Sequence, residues 1–132
     1  MIGVLDSSAV IRLFIPDGPI PEGLEQFLKG AETGNNIALA PELMLAETAN
    51  VLHKKSLRDE ITEDEGDQLL KLIQRLPIRL VSHKELVEGA VQLARDHALT
   101  VYDALFLELA RQQNGRLFTG DLELEKAGVN IF

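Results

Sequence analysis

Hydrophobic residues along the chain fall into two kinds of pattern. Four short apolar runs, Ile2–Leu5 (IGVL), Ile37–Ala40 (IALA), Ile78–Val81 (IRLV) and Arg116–Thr119 (RLFT), end at Asp6, Pro41, Ser82 and the pair Gly120–Asp121. A fifth, Val129–Ile131, closes the chain. Runs this short suit buried strands. Between them apolar residues recur at helical spacing. Leu24, Phe27, Leu28 and Ala31 mark a helix over Glu22–Glu32, and Leu45, Thr48, Ala49, Leu52 and Leu57 mark one over Leu43–Leu57. Thr62 and Glu65 form a capping box that opens a helix running to Leu76. Lys84–His97 and Tyr102–Asn114 complete the set, with Gly115 placed as the C-cap of the last.

Strands alternating with helices predict an α/β fold around a mostly parallel sheet. No repeat or low-complexity tract interrupts the chain, so one domain is expected over residues 1–132. In open parallel sheets, sites form beyond the carboxyl ends of the strands. Asp6 and Asp121 each directly follow a strand candidate at that end.

Composition narrows the chemistry. There is no cysteine, which excludes disulfides, Cys-ligated zinc and thiol nucleophiles. Thirteen Lys and Arg against 21 Asp and Glu give a net charge of −8, so the surface as a whole cannot grip nucleic acid electrostatically. Binding of phosphate then requires a local basic patch or a metal site. Aromatic residues are 5% with no Trp, too few for a base-stacking platform. The N-terminal stretch lacks a basic leader, and Asp6 and Arg12 interrupt its apolar run, so it does not read as a signal peptide. No stretch approaches the ~18 apolar residues of a membrane span. A cytoplasmic protein with no membrane contact is expected.

Four acids stand apart from the solvated acidic runs. Asp6 lies in VLDSS, Glu47 in LMLAETANVL, Asp103 in TVYDALFLELA and Asp121 in LFTGD. Each has a plain structural reading. Asp6, Asp103 and Asp121 suit helix N-termini. Glu47, among apolar neighbours, suits a structural ion pair, because a buried lone carboxylate is costly. The functional reading is a hard-cation site, since Mg²⁺ and Mn²⁺ bind through a few carboxylates and waters and such ions activate water against phosphodiesters.

Taken in order, VLDSS, PELMLAETANVL, TVYDALFLELA and LFTGD resemble the motifs of the PIN-domain family, specifically the VapC-like toxin ribonucleases of type II toxin–antitoxin systems. The resemblance covers the whole chain. It implies a three-layer α/β/α sandwich and an endoribonuclease that hydrolyses RNA with Mg²⁺ or Mn²⁺ through a metal-activated water. It carries the catalytic, metal-binding acids onto Asp6, Glu47, Asp103 and Asp121. Ser8 and Thr119 correspond to hydroxyls that support the metal ligands by hydrogen bonding. It further implies a homodimer and a cognate antitoxin protein. Glu123 is a candidate extra acid, or else a solvated helix residue.

Other readings are weaker. No G-x-G-x-x-G or P-loop pattern occurs. A D-x-D phosphatase pair fails because Ser8 stands at its third position. His53, His83 and His97 read as surface histidines, although a histidine-based ribonuclease is a further option. At 100° per residue, Glu47, Lys54 and Arg58 share one narrow helical face, with the two cations about 10 and 16 Å from the carboxylate. That stripe suits an RNA strand, or alternatively cations that favour a helix C-terminus. The rival to the enzyme is a non-catalytic PIN-like module that binds RNA or protein.

Overall fold

The structure is a computed structural model and describes residues 1–131, the side chains of residues 130 and 131 excepted. Four strands, β1 (Ile2–Leu5), β2 (Ile37–Pro41), β3 (Ile78–Val81) and β4 (Arg116–Phe118), pair in parallel in the order β3-β2-β1-β4. Seven helices connect and cover them among the described residues: α1 (Ser7–Arg12), α2 (Leu24–Glu32), α3 (Leu43–Leu57), α4 (Glu63–Gln74), α5 (Val87–His97), α6 (Val101–Gln113) and α7 (Leu122–Ile131). This is the three-layer α/β/α arrangement that the alternation and the family resemblance implied. No helix is long and apolar enough to cross a membrane among the described residues.

Strand register assigns the faces. Gly3 pairs with Arg116 and Leu5 with Phe118, so these four share one face of the sheet. There the Phe27 ring of α2 lies against Gly3 and stacks on Phe118, with centroids 5.0 Å apart. Val4 pairs with Leu117 on the opposite face, where Leu117 meets α7 near Gly128. Helix α6 also packs against β1, β2 and β4, and every residue from Ala104 to Ala110 is buried.

That run includes Glu108, which is 1% exposed. Its two carboxylate oxygens accept from Arg111 Nε and Nη2 at 2.6 and 2.7 Å, and Oε2 also accepts from Gln112 at 2.8 Å. Gly89 of α5 leaves room for this carboxylate, which a Cβ there would overlap.

Element boundaries follow the apolar pattern to within two residues, apart from three exceptions, and the short α1 (Ser7–Arg12) adds to the helices that the spacing marked. The Thr62–Glu65 capping box forms as expected, with reciprocal bonds of 2.9 and 3.0 Å. The helix expected over Lys84–His97 is divided: Ser82 caps a single 3₁₀ turn, His83–Glu85, and fully buried Leu86 joins it to α5.

At the end of α6 the left-handed residue is Asn114 (φ 49°), not Gly115. The Gly115 N–H reaches the Ala110 carbonyl and the Asn114 N–H the Arg111 carbonyl, the two bonds of a Schellman cap. Gly115 instead permits a close approach, because a Cβ there would stand 3.0 Å from the Ile2 carbonyl oxygen.

Val129–Ile131 is no fifth strand; it is the last turn of α7. Leu124, Ala127 and Gly128 are buried at helical spacing while Val129 faces solvent. A three-residue apolar run carries too little periodicity to separate strand from helix.

Candidate active site

All four strands point the same way, so their carboxyl ends form one edge. β1 connects onward to β2 on one side, while β4 joins β1 on the other. The crevice at such a reversal is where α/β sheets bind ligands.

Asp6 sits there as the N-cap of α1. Its Oδ1 accepts from the Ala9 N–H at 2.9 Å and from Ser8 Oγ at 2.7 Å, and its Oδ2 accepts from the Thr119 hydroxyl. Ser8 Oγ in turn accepts from the Gly120 N–H, and Thr119 Oγ1 from the Asp121 N–H, each at 2.9 Å. A closed set of hydrogen bonds thus joins the end of β1 to the loop after β4. Both hydroxyls singled out from the sequence, Ser8 and Thr119, bond directly to Asp6.

The other three acids come from helices. Asp121 caps α7, with Oδ1 accepting from the Glu123 and Leu124 N–H groups at 2.9 and 3.3 Å. Glu47 lies half-buried in α3, and its Oε1 accepts from Ser7 Oγ at 2.7 Å. Asp103 stands in the first turn of α6, where Thr100 Oγ1 takes the Asp103 N–H at 3.1 Å. The capping reading therefore holds for Asp6 and Asp121, but capping consumes only part of each carboxylate. An ionised carboxylate offers about four lone-pair sites. Glu47 Oε2 and Asp121 Oδ2 accept no hydrogen bond among the described residues. Asp6 Oδ2 accepts one.

The electrostatics tie the four together. Burial pushes the Asp6 carboxyl up; the Thr119 hydroxyl, Ala9 N–H and Ser8 hydroxyl pull it back, the charge of Asp121 adds to the rise, and the net shift is upward. Burial also raises Glu47, opposed by the Ser7 hydroxyl and reinforced by Asp103 and Asp6. Burial raises Asp103, with Asp121 and then Glu123 adding to it and the Thr100 hydroxyl opposing. Glu47 thus meets acids rather than the ion pair that its apolar neighbours suggested. None of the four lies within ion-pair distance of a Lys, Arg or His among the described residues.

A hard cation suits this donor set by chemistry and charge. The side chains do not, however, converge at coordination distance: among the described residues no group of three or more His, Asp or Glu is placed to hold a metal. Hydrogen bonds to Ser7, Ser8 and Thr119 orient Glu47 and Asp6 instead.

Lys54 and Arg58 are both exposed, Lys54 on the last turn of α3 and Arg58 as its C-cap. Lys55 between them is committed to Asp17 at 2.8 Å and Glu60 at 3.5 Å. Glu123 is exposed, yet its charge reaches Asp103. His53 is exposed. His83 is half-buried and does structural duty: its Nε2 accepts the Leu43 N–H at 2.9 Å, the cap that α3 otherwise lacks.

Ser7 is the site residue that sequence reasoning passed over. Consecutive residues of a helix point about 100° apart. The second serine of VLDSS therefore turns back to Asp6 while the first faces α3.

The family model described as PIN domain matches residues 3–130. Ribonuclease VapC3 of Pyrobaculum aerophilum is 32% identical over 123 residues, covering 92% of this chain and 90% of that protein. Ribonuclease VapC1 of Mycobacterium tuberculosis is 33% identical over 125 residues, covering 94% and 89%. The crystal structure of PAE2754 from Pyrobaculum aerophilum superposes with a TM-score of 0.71 at 19% identity, covering 96% of this chain and 79% of that one, and shares the fold.

Proposed function

The chain belongs to the PIN domain family, and from that premise we propose that it is a VapC-like toxin: an endoribonuclease that uses Mg²⁺ or Mn²⁺ at Asp6, Glu47, Asp103 and Asp121. The observation that carries this reading is the mutual charge of the four acids. Asp6, Glu47 and Asp103 are each pushed up by burial and by one another or Asp121, with no cationic side chain at ion-pair distance among the described residues. Four carboxylates at a strand-end crevice are an arrangement that costs stability and that a hard cation relieves.

When bound, such an ion lowers the pKa of water and offsets charge on the phosphate. The chain's own groups do the rest. Three donors fix Asp6 and limit the rise in its pKa. Ser7 aims Glu47 by holding one oxygen and leaving the other open. Backbone N–H groups of α7 do the same for Asp121. Burial and neighbouring acids raise Asp103 as they raise Asp6 and Glu47, so each gains from a nearby positive charge. Attack by water leaves a 3′-hydroxyl and a 5′-phosphate. Lys54 and Arg58 hold the RNA strand beyond Glu47. A homodimer in the cytoplasm, restrained by a cognate antitoxin, completes the proposal, as the resemblance to VapC-like toxins implies.

The test is cleavage of single-stranded RNA with Mn²⁺, with Mg²⁺ and with chelator. Activity with either ion and none with chelator is expected. Metal at about 100 times its dissociation constant adds ~2.7 kcal/mol for one site, which for this length raises the melting temperature by roughly 10 °C. Cleavage that persists in chelator would move the chemistry to the histidines. A flat melting curve with no cleavage of any RNA would leave a non-catalytic binding module.

A further inference from the structure

Arg12 is the last residue of α1, one helical turn beyond Ser8 and on the same face. Both side chains meet Gly120: Ser8 Oγ accepts its N–H, and the Arg12 guanidinium lies over its Cα, where a Cβ would overlap Cζ. Gly18 closes the other side. A Cβ there would stand 2.6 Å from Arg12 Cζ. The guanidinium is thus held in a slot between two glycines, one of them a single peptide, ~3.8 Å between Cα atoms, from Asp121.

What the slot does not contain is a counter-ion. Arg12 Nη1 donates to the Pro19 carbonyl at 3.2 Å, its one hydrogen bond among the described residues. Among those residues no carboxylate lies within 4.0 Å of it, in a chain of net charge −8. Asp17, on the same loop, is taken by Lys55 at 2.8 Å. A planar fork of five donors that spends one on a carbonyl keeps the rest for an external acceptor, and phosphate matches it in shape and charge.

We propose that Arg12, clamped between Gly18 and Gly120, binds a backbone phosphate of the RNA strand next to the phosphodiester that is cut. The assignment rests on the ribonuclease reading for the identity of the strand. Arg12 acts here as a positioning residue: it sets where the strand lies relative to the four acids and takes no part in proton transfer.

The test compares wild type with Arg12→Ala, Arg12→Lys and Gly18→Ala, using a short single-stranded RNA. Steady-state cleavage with Mn²⁺ gives KM and kcat, and binding in chelator gives Kd against salt. Arg12→Ala is expected to raise KM and Kd about tenfold, the size of one charge-assisted hydrogen bond to phosphate. The salt slope should become shallower by about 0.7, the value for one phosphate on a single strand. Arg12→Lys should restore the slope but only part of the affinity, because it keeps the charge and loses the fork. Gly18→Ala retains Arg12 and every acid, yet should reproduce the KM defect by displacing the guanidinium. Wild-type KM and salt slope in Arg12→Ala overturn the proposal, even if its melting temperature falls. Should Arg12→Ala not fold, wild-type KM and slope in both Arg12→Lys and Gly18→Ala overturn it instead. Absence of cleavage by wild type would overturn the ribonuclease reading, while the binding measurement still decides Arg12.

Discussion

The Thr119 hydroxyl donates to Asp6 Oδ2 across 113 residues of chain, and Thr119 Oγ1 itself accepts the Asp121 N–H at 2.9 Å. One side chain therefore fixes two of the four acids, at the junction of two neighbouring parallel strands. Thr119→Val keeps the shape and removes both bonds. It leaves the buried Asp6 carboxylate short of a donor and strands the Asp121 N–H. A loss of about 2–3 kcal/mol is expected from a buried group left unsatisfied, together with weaker metal affinity. Thr119→Ser keeps the hydroxyl and should stay within about 1 kcal/mol of wild type. Equal stability of the two variants by urea denaturation would show that the hydroxyl fixes nothing.

Asp6 and Asp103 carry the same kind of charge in different surroundings, so their Asn variants should diverge. Burial and neighbouring acids raise Asp103, and only the Thr100 hydroxyl opposes them. Asp103→Asn removes repulsion and should leave stability unchanged or raise it by up to about 1 kcal/mol. Asp6 accepts three hydrogen bonds. An amide in its place turns one acceptor into a donor facing Thr119. Asp6→Asn should therefore cost about 1 kcal/mol even as it relieves charge. Both should lower cleavage by about a hundredfold or more, the expected loss when the cation is held less well. Wild-type cleavage by both variants would rule out the metal-nuclease reading.

The parts of this arrangement that sequence carries best are the ones set by local pattern. The four apolar runs became strands within one residue of their expected ends; Asp6 and Ser82 end two of them by capping the next helical turn, whereas Pro41 stays in the ladder opposite Val81. Asp6 and Asp121 stood out because they follow such runs. Long-range partners are written in no local pattern. Nothing near Leu43 announces that His83 will cap α3 from 40 residues away. Ser7 and Ser8 look alike in VLDSS, and only the packing of α1 on α3 sends Ser7 to Glu47. Glu108 sits between Leu107 and Leu109 in a helix buried on all sides, so its pattern shows burial but not that Arg111 and Gln112 satisfy it.

Lys54, Lys55 and Arg58 are neighbours at the end of α3 with different commitments. Lys55 is held by Asp17 and Glu60, whereas Lys54 and Arg58 have no ion-pair partner among the described residues. The double variant Lys54→Ala, Arg58→Ala should weaken RNA binding and make its salt slope shallower by about 0.7 for each phosphate no longer neutralised. Metal-induced stabilisation should not change. Lys55→Ala should leave RNA binding intact and cost at most about 1 kcal/mol, the range of exposed ion pairs. Wild-type affinity and slope in the double variant would make the stripe ordinary solvated surface.

The pair Glu108–Arg111 makes a prediction about acid. Burial pushes the Glu108 carboxyl up, but the hydrogen bonds from Arg111 and Gln112 and the Arg111 charge outweigh it, so the net direction is below the ordinary 4.5. A carboxyl lowered on folding stabilises the protein above its unfolded pKa. That contribution is lost as pH falls through the lower, folded value. Arg111→Met takes away the cation and leaves a buried carboxylate with Gln112 alone. Burial is then opposed by Gln112 alone, so the folded pKa moves up; where it passes the unfolded value the sign of the linkage reverses, and stability falls as pH rises between the two. At pH 7 the variant should be less stable by about 2 kcal/mol, since a charged hydrogen-bond partner is removed while Glu108 stays buried. As pH falls through the lowered folded pKa of wild-type Glu108, the gap should shrink. Glu108→Gln removes the buried charge instead and leaves Arg111, half-exposed at 49%, free to reach water, so it should cost less at pH 7 than Arg111→Met. Urea denaturation of the three proteins from about pH 3.5 to pH 8 measures this. A gap between wild type and Arg111→Met that stays constant over that range would mean that Glu108 does not depend on Arg111 for its charge.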